Sequence, residues 1–359
     1  MLVQLCGGQL PHAEREDYRG EFMLDTSPVK FLPFDWSFKL PDPNDHVLGQ
    51  LVTTNSSEVT RSDVILYGIP FDKAVLGRKG AALGPCAIRT AARTLKTFAL
   101  PQGSLRCRIV DLGDVVLSGK DVAAAHIEAE KAARYASVTV PAARGTMGVA
   151  IRRDVGAPSR VIALGGDHSL TFPCAWPYLE HFREKLAVIN LDAHLDVRCV
   201  REGEPFNSGS SFGRLLDGGL TSYTVIGARR FQTSTAYEKR VQDCGGRIVT
   251  ADEVYAKSAV RIARDVLKKL PRNCRAIYLS VDLDVADASV APGVSAPTPG
   301  GLLAHQLFEL VRMITSDARV IACDIMELAP PLEEPNSDRT ARLAAGCLAE
   351  MVATASLAR

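Results

Sequence analysis

Short apolar runs recur along the chain from about residue 63 onward, and a segment with apolar positions at helical spacing follows each run. The runs are nearly continuous rather than alternating, which is typical of strands that are covered on both faces of a sheet. They occupy residues 64–68, 108–111, 161–165, 186–191, 223–227, 248–250, 276–281 and 320–325. The pattern predicts a parallel sheet of about eight strands.

Helical spacing is clearest at residues 121–137, 236–244, 258–270, 302–315 and 338–357. Alternation of such segments with buried strands predicts an α/β protein with a doubly wound sheet. Residues 22–55 are instead rich in Pro, Asp and aromatic residues and show no period. We therefore expect an irregular N-terminal arm over residues 1–60 and a single α/β domain over residues 61–359.

The composition narrows the classes of partner. A net charge of +1, from 42 basic and 41 acidic residues, argues against binding to nucleic acid or to a membrane surface by bulk charge. No run reaches the ~20 apolar residues of a membrane span, and the first ten residues do not form a secretory signal. The nine cysteines are scattered without a CxxC pair, as expected for reduced thiols. We expect a cytoplasmic protein that recognises its ligand locally.

Acidic residues and histidines follow three of the predicted strands, at the edge where open parallel sheets bind their ligands. They are His168, then Asp192, His194 and Asp196, then Asp282 and Asp284. In an extended chain, side chains two residues apart point to the same side, so the members of each set face one way. Four adjacent carboxylates repel one another unless cations neutralise them, which predicts a pair of divalent metal ions. Because the set contains no thiolate, Mn²⁺ is favoured over Zn²⁺.

Residues 165–169, 192–196 and 280–287 resemble the three signatures of the arginase, agmatinase and formimidoylglutamase family, the ureohydrolases. The resemblance extends from about residue 66 to the C terminus. It implies the three-layer α/β/α arginase fold, two Mn²⁺ per subunit, and assembly as a homotrimer or hexamer. By resemblance, one ion is held by His168, Asp192, Asp196 and Asp282, and the other by His194 and Asp284 with Asp192 and Asp282 shared.

Local features are most similar to those of the formimidoylglutamases. Arg198 follows the second signature, and the loop 205–212, which contains Asn207 and Ser208, has Ser208-Gly209 where arginases and agmatinases usually have His-Gly. Residues 290–297 also resemble the formimidoylglutamase version more closely. The stretch 226–231 lacks the Asp with which arginases bind a substrate ammonium. The resemblance therefore implies an anionic amidine substrate, N-formimidoyl-L-glutamate, contacted by Arg198, Asn207 and Ser208.

Arginine side chains suit a substrate with two carboxylates, since the guanidinium presents a fixed fork of donors. Arg198 is the first candidate, and Arg229 and Arg230 are further candidates for the pocket entrance. Two alternatives stay open. Arg198 would pair with a nearby acidic residue, or the loop 199–211 would supply an acid from Glu202 or Glu204 for a substrate ammonium.

The expected mechanism begins with a water that bridges the two ions and has a pKa lowered toward neutral, so that hydroxide attacks the formimidoyl carbon. By resemblance, Asp196 passes the proton to the leaving nitrogen, and Glu327 hydrogen-bonds the amidine and orients it. The products would be L-glutamate and formamide, a step in histidine degradation. The alternatives are an arginase, agmatinase or guanidinobutyrase that releases urea, and a catalytically inactive homologue.

Overall fold

The computed structural model describes residues 28–38, 40, 42–101, 103–117, 119–138, 159–200 and 206–357. The strands of these residues are β1 (Phe31–Leu32), β2 (Val52–Thr53), β3 (Val64–Gly68), β4 (Phe98–Ala99), β5 (Gly103–Ser104), β6 (Ile109–Val115), β7 (Arg160–Leu164), β8 (Leu186–Leu191), β9 (Tyr223–Ala228), β10 (Arg247–Thr250), β11 (Ala276–Asp282) and β12 (Val320–Met326). The helices are α1 (Gly84–Ala92), α2 (Val122–Val138), α3 (Thr171–Phe182), α4 (Ser211–Asp217), α5 (Thr235–Asp243), α6 (Ala251–Lys257), α7 (Ala259–Lys269), α8 (Ala304–Thr315) and α9 (Arg339–Leu357). Short 3₁₀ turns lie at Leu48–Leu51, Ser56–Arg61, Ala81–Leu83, His168–Leu170, Arg183–Lys185, Ser208–Ser210, Leu283–Val285 and Pro330–Leu332.

One large sheet runs through the described part of the chain. Its strand order is β1-β6-β3-β7-β12-β11-β8-β9-β10, with β2 beside β6. The strands from β6 to β10 in this order pair in parallel, whereas β1 is antiparallel to β6. These eight parallel strands correspond to the eight predicted apolar runs, so the predicted sheet is confirmed.

Two apolar cores lie on opposite faces of the sheet. Side chains of β3 alternate between them, with Val64 and Leu66 in one core and Ile65 and Tyr67 in the other. The first core is completed by α1, α6, α7, α8 and α9, and the second by α2, α3, α4 and α5. Helices therefore cover both faces, and the expected three-layer α/β/α architecture is confirmed.

The helical segments predicted from spacing are α2, α5, α7, α8 and α9, each within two residues of its predicted bounds. Helix α3 was not singled out by its pattern because it is buried nearly all round. It also contains Pro177 within its length, and a proline inside a helical pattern argues against a helix. Helix α4 has only seven residues, too few to establish a period.

The described part of the predicted arm packs on the edge of the sheet. Both β1 and β2 pair with β6. The indole Nε1 of Trp36 donates to Asp111 Oδ2 at 2.7 Å, and the buried Arg89 binds the same carboxylate through Nε at 2.7 Å and Nη2 at 2.9 Å. Residues 1–27 lie outside the described residues. Among the helices that are described, none is both long enough and apolar enough to cross a membrane.

Candidate metal centre

Four neighbouring strands bring the predicted site residues to one edge of the sheet. The strands lie side by side in the order β7-β12-β11-β8. His168 follows β7, Glu327 follows β12, Asp282 ends β11 and Asp192 follows β8. Because the strands are parallel, their carboxyl ends share an edge. Residues that are far apart in sequence therefore meet there.

The first cluster is built around His168. Its Nδ1 lies 2.9 Å from Asp196 Oδ2, 2.9 Å from Asp282 Oδ2 and 3.5 Å from Asp192 Oδ2. Ligand atoms of these four residues all lie within 4.8 Å of one another. The His168 ring is buried, and its Nδ1 makes no hydrogen bond within the described part of the chain. A buried ring nitrogen facing three carboxylates is a donor set that suits a divalent cation.

The second cluster consists of Asp192, His194 and Asp284. His194 Nδ1 lies 3.4 Å from Asp192 Oδ1 and 3.1 Å from Asp284 Oδ2. Asp192 thus turns one oxygen to each cluster, as a shared ligand must. Asp282 turns Oδ2 toward His168, while its Oδ1 accepts the Asp284 N–H at 2.9 Å. A shared role for Asp282 stays a prediction.

Two carboxylates of the site, those of Asp282 and Asp196, are held at an electrostatic cost. Burial raises the pKa of Asp282 well above its usual range, and the charge of Asp284 adds to that shift. Burial and the charge of Asp192 raise the pKa of Asp196 to about 6. Cations placed between the carboxylates would remove this repulsion. The residues present therefore fit a pair of divalent ions.

A buried hydrogen-bond chain supports His168 from behind. His168 Nε2 and Ser280 Oγ are 2.9 Å apart, and Ser280 Oγ donates to Asp324 Oδ1 at 2.6 Å. Thr171 Oγ1 and Tyr278 OH each donate to Asp324 Oδ2 at 2.8 Å. Such partners fix the orientation of a metal-binding imidazole. Sequence reasoning missed Asp324, although an Asp inside the apolar run of β12 was a visible signal.

Two site residues adopt a left-handed backbone that is unusual for residues other than glycine. Asp196 has φ 46° and Glu327 has φ 67°, a conformation that costs about 1–3 kcal/mol each. Main-chain hydrogen bonds hold both in place. The Asp196 carbonyl accepts the N–H groups of Phe212 and Gly213 at 3.0 and 3.1 Å, and Glu327 donates its N–H to Gly166 at 2.9 Å. Strain of this kind is concentrated at functional sites.

Glu327 presents a free carboxylate oxygen in a buried position. Its Oε1 accepts the His168 N–H at 2.8 Å, whereas its Oε2 has no hydrogen-bond partner among the residues that the structure describes. The side chain is only 2% exposed. Burial, and then the charge of Asp167, raise the pKa of Glu327 to about 8. A planar cation that donates hydrogen bonds would satisfy this oxygen and stabilise its charge.

A cavity opens over the two clusters. Its wall includes the candidate metal ligands His194, Asp196, Asp282 and Asp284, and also Glu327. Further lining residues are Leu76, Gly77, Leu195, Val197, Arg198, Ser208, Gly209, Gln232, Thr233, Tyr237, Ser295 and Ala296. Sequence reasoning missed Gln232, Thr233 and Tyr237, which follow β9 without any motif. The cavity wall therefore combines acidic side chains with that of an arginine.

The predicted substrate-binding residues differ in their placement. The exposed Arg198 lines the cavity, with its Cζ 5.7 Å from the centre of the Tyr237 ring. Ser208 also lines it, and its hydroxyl accepts the Leu76 N–H at 3.0 Å. Asn207 is not among the lining residues in the described part of the chain. The substrate contacts of all three predicted residues stay predictions.

The two other candidate arginines do not line the described cavity wall. Arg229 is buried and donates to main-chain carbonyls. The side chain of Arg230 is 72% exposed and lies 4.0 Å from Asp252. The expectation that they line the pocket entrance is therefore not met. Glu202 and Glu204, the alternative acids, lie outside the described residues.

Fold and site together define a class of protein: a parallel α/β enzyme whose strand ends carry candidate ligands for divalent metal ions. Within that class, the sequence profile of the arginase family matches residues 62–353. The chain belongs to the arginase family, and it is a hydrolase.

Named relatives are similar over most of the chain. A formimidoylglutamase of Halobacterium salinarum is 36% identical over 326 residues, which are 89% of this chain and 98% of that protein. The crystal structure of formimidoylglutamase from Bacillus subtilis has a TM-score of 0.79 at 26% identity and covers 91% of this chain and 97% of its own. Trypanosoma cruzi formiminoglutamase, solved with Mn²⁺, has a TM-score of 0.74 at 25% identity, covering 87% and 99%. The resemblance that the signatures indicate is confirmed.

Proposed function

We propose that the protein hydrolyses N-formimidoyl-L-glutamate to L-glutamate and formamide with two Mn²⁺ per subunit. One observation carries the proposal: a single cavity is lined by Glu327, whose Oε2 has no hydrogen-bond partner among the described residues, by candidate metal ligands and by Arg198. The cationic amidinium of this substrate would bind an acidic side chain, and a substrate carboxylate would bind a basic one. The relatives named formimidoylglutamase support the same substrate.

The metal ligands would divide as the clusters do. His168, Asp192, Asp196 and Asp282 would hold one ion, and His194 and Asp284 would hold the other together with the shared Asp192 and Asp282. When bound, the ions supply a nucleophilic water at neutral pH and stabilise the charge that develops in the transition state. Mn²⁺ suits this set of carboxylates and imidazoles, and the Trypanosoma cruzi relative was solved with Mn²⁺.

Asp196 and Glu327 would act directly on the substrate. Glu327 Oε2 would accept a hydrogen bond from the amidinium and hold its carbon toward the clusters, which lowers the barrier by orientation. Asp196 lies at the cavity wall with its carboxylate in the first cluster. A carboxylate in this position can accept a proton from the attacking water and return it to the leaving nitrogen.

Arg198, Ser208 and Asn207 would select the far end of the substrate. The Arg198 guanidinium lies at the cavity wall and can pair with a carboxylate through two parallel hydrogen bonds. The Ser208 hydroxyl keeps its own proton for donation, because it accepts from Leu76. Such a wall favours a dicarboxylate and disfavours the free amine tail of agmatine.

A substrate panel tests this proposal. The Mn²⁺-loaded protein would be assayed with N-formimidoyl-L-glutamate, L-arginine, agmatine and 4-guanidinobutyrate, and formamide and urea would be measured separately. We expect formamide from the first compound and little or no urea from the others. Urea release from arginine at a comparable rate would replace the proposed activity by that of a urea-releasing relative. Inactivity on all four compounds would favour a catalytically inactive homologue, against which the six intact ligands argue.

Three broader expectations are part of the same proposal. The protein would assemble as a homotrimer or hexamer, which light scattering of the purified protein would test. It would reside in the cytoplasm, in keeping with the free cysteines of the described residues. The catalytic domain would span residues 61–359, with residues 1–60 as an arm.

A further inference from the structure

Arg229 is a buried cation that hydrogen-bonds to the main chain. It follows β9 and is 6% exposed. Its Nη1 donates to Gly227 O at 2.5 Å, and its Nη2 lies within reach of three successive carbonyls, at 3.3 Å from Asp284 O, 2.7 Å from Val285 O and 3.2 Å from Ala286 O. Within the described residues, all the acceptors of its guanidinium are carbonyl oxygens. The guanidinium therefore fastens the turn that carries Asp284.

The main chain of Arg229 holds the other half of the second cluster. Its N–H donates to Ala193 O at 3.0 Å, between the ligands Asp192 and His194. The Ala193 N–H in turn points to Asp284 Oδ1 at 3.4 Å. One residue thus ties together both segments that supply the second cluster.

Two glycines leave the space that this arrangement needs. A Cβ on Gly301 would lie 1.9 Å from Arg229 Nη2, inside the guanidinium. Gly227 has φ 107°, and a Cβ there would lie 2.4 Å from Val285 Cγ2. Side chains at these positions would push the turn away from Arg229. The close approach of β9 to the turn therefore depends on glycine.

We propose that Arg229 is a positioning residue for the second metal ion, acting through the turn at residues 284–286 and through Ala193. A planar guanidinium can donate to several carbonyls in fixed directions, which a lysine ammonium cannot reproduce. The first cluster depends on Arg229 less, because His168 is held by Ser280 and Asp324. Loss of Arg229 therefore weakens binding of the second ion selectively.

This inference rests on the proposed function in requiring two metal ions. The test compares wild-type protein with Arg229→Lys and Arg229→Gln, each stripped with chelator and equilibrated against a series of Mn²⁺ concentrations. Arg230→Ala is the matched control, since this neighbour is exposed at the surface. Bound Mn²⁺ per subunit is measured by elemental analysis, and the melting temperature of the stripped proteins is recorded.

We expect two ions in wild type and in Arg230→Ala. In both Arg229 variants the first ion should bind normally, and the second about 10–100-fold more weakly, the range seen for residues that orient metal ligands. At saturating Mn²⁺ the KM of Arg229→Lys should equal that of wild type, because Arg229 is not among the residues that line the described cavity wall.

The results that would contradict the role of Arg229 can be distinguished from those that would contradict the proposed function. Wild-type affinity for both ions in Arg229→Lys and Arg229→Gln would overturn the inference and leave the proposed function intact. Loss of both ions together with a collapse of the melting temperature in the stripped variants would assign Arg229 a general structural role, which also overturns it. A KM that stays raised at saturating Mn²⁺ would place Arg229 in substrate binding instead. A wild-type protein that never binds a second ion would remove the inference and the two-ion proposal together.

Discussion

Replacing Glu327 by glutamine tests whether its unpaired oxygen binds the amidinium. The substitution preserves size and still leaves a carbonyl to accept the His168 N–H, which Oε1 now accepts at 2.8 Å. What is lost is the charge on Oε2, the oxygen without a partner. A hydrogen bond to a charged group contributes about 1.5–3 kcal/mol. At 1.36 kcal/mol per tenfold change, kcat/KM should fall about 10- to 160-fold.

A measurement of folding stability distinguishes loss of substrate binding in Glu327→Gln from misfolding of the variant. Burial raises the pKa of Glu327 to about 8, above its value in the unfolded chain. Ionisation of the folded protein is therefore unfavourable, and this cost grows as the pH rises from about 4.5 toward 8, provided no metal is bound. Glutamine removes the cost. The chelator-treated variant should be at least as stable as wild type at pH 7, as measured by urea denaturation.

The assay follows formamide release from N-formimidoyl-L-glutamate by Mn²⁺-loaded protein. Glu334→Gln is the control, because Glu334 is exposed and pairs only loosely with Arg339, at 3.5 Å. We expect the control to match wild type and Glu327→Gln to retain both metal ions. Wild-type kcat/KM in Glu327→Gln would refute the role of Oε2 in substrate binding. Loss of metal in this variant would show instead that Glu327 supports the clusters through His168.

Three other predictions follow from the site and its surroundings. Asp192→Ala should bind little Mn²⁺ and lose formamide release, because one oxygen of Asp192 faces each cluster; two bound ions by elemental analysis would contradict the ligand assignment. Arg198→Ala should raise the KM for N-formimidoyl-L-glutamate by about 10- to 160-fold, the equivalent of one charge-assisted hydrogen bond. The metal content should not change. An unchanged KM would place the carboxylate contact elsewhere. Burial and then the charge of Arg214 lower the pKa of His126 to about 3, below its value of about 6.5 in the unfolded chain. Protonation therefore favours the unfolded chain, and His126 should lower the free energy of unfolding by about 1.4 kcal/mol per pH unit as the pH falls from 6.5 toward 3. His126→Gln should show a shallower loss between pH 6.5 and 5 in urea denaturation, and an identical slope would contradict the assignment.

The strands and the metal ligands could be predicted because each depends on local sequence. Strands buried on both faces need continuous apolar runs, and parallel strands bring the residues after those runs to one edge. His168, Asp192 and Asp282 were therefore predictable as neighbours. Helix α3 was not, because a helix that is buried nearly all round lacks the broad polar face from which its period is recognised.

Features that depend on side-chain direction could not be predicted. Arg229 and Arg230 are adjacent and identical in type, yet one is buried and the other exposed. Arg229 donates to carbonyls of the turn after β11, a contact between distant segments that the sequence does not show. The support of His168 by Ser280 and Asp324 likewise joins two strands, β11 and β12, whose register is a tertiary property. The sequence shows these residues only as polar positions within apolar runs.

We propose that two metal ions bound by these clusters enable cleavage of an amidine. The most direct measurement titrates Mn²⁺ into chelator-treated wild-type protein while formamide release from N-formimidoyl-L-glutamate and bound Mn²⁺ are recorded on the same samples. We predict negligible release without metal and a maximal rate at two Mn²⁺ per subunit. Full activity in the metal-free protein, or no formamide at two bound ions, would contradict the account.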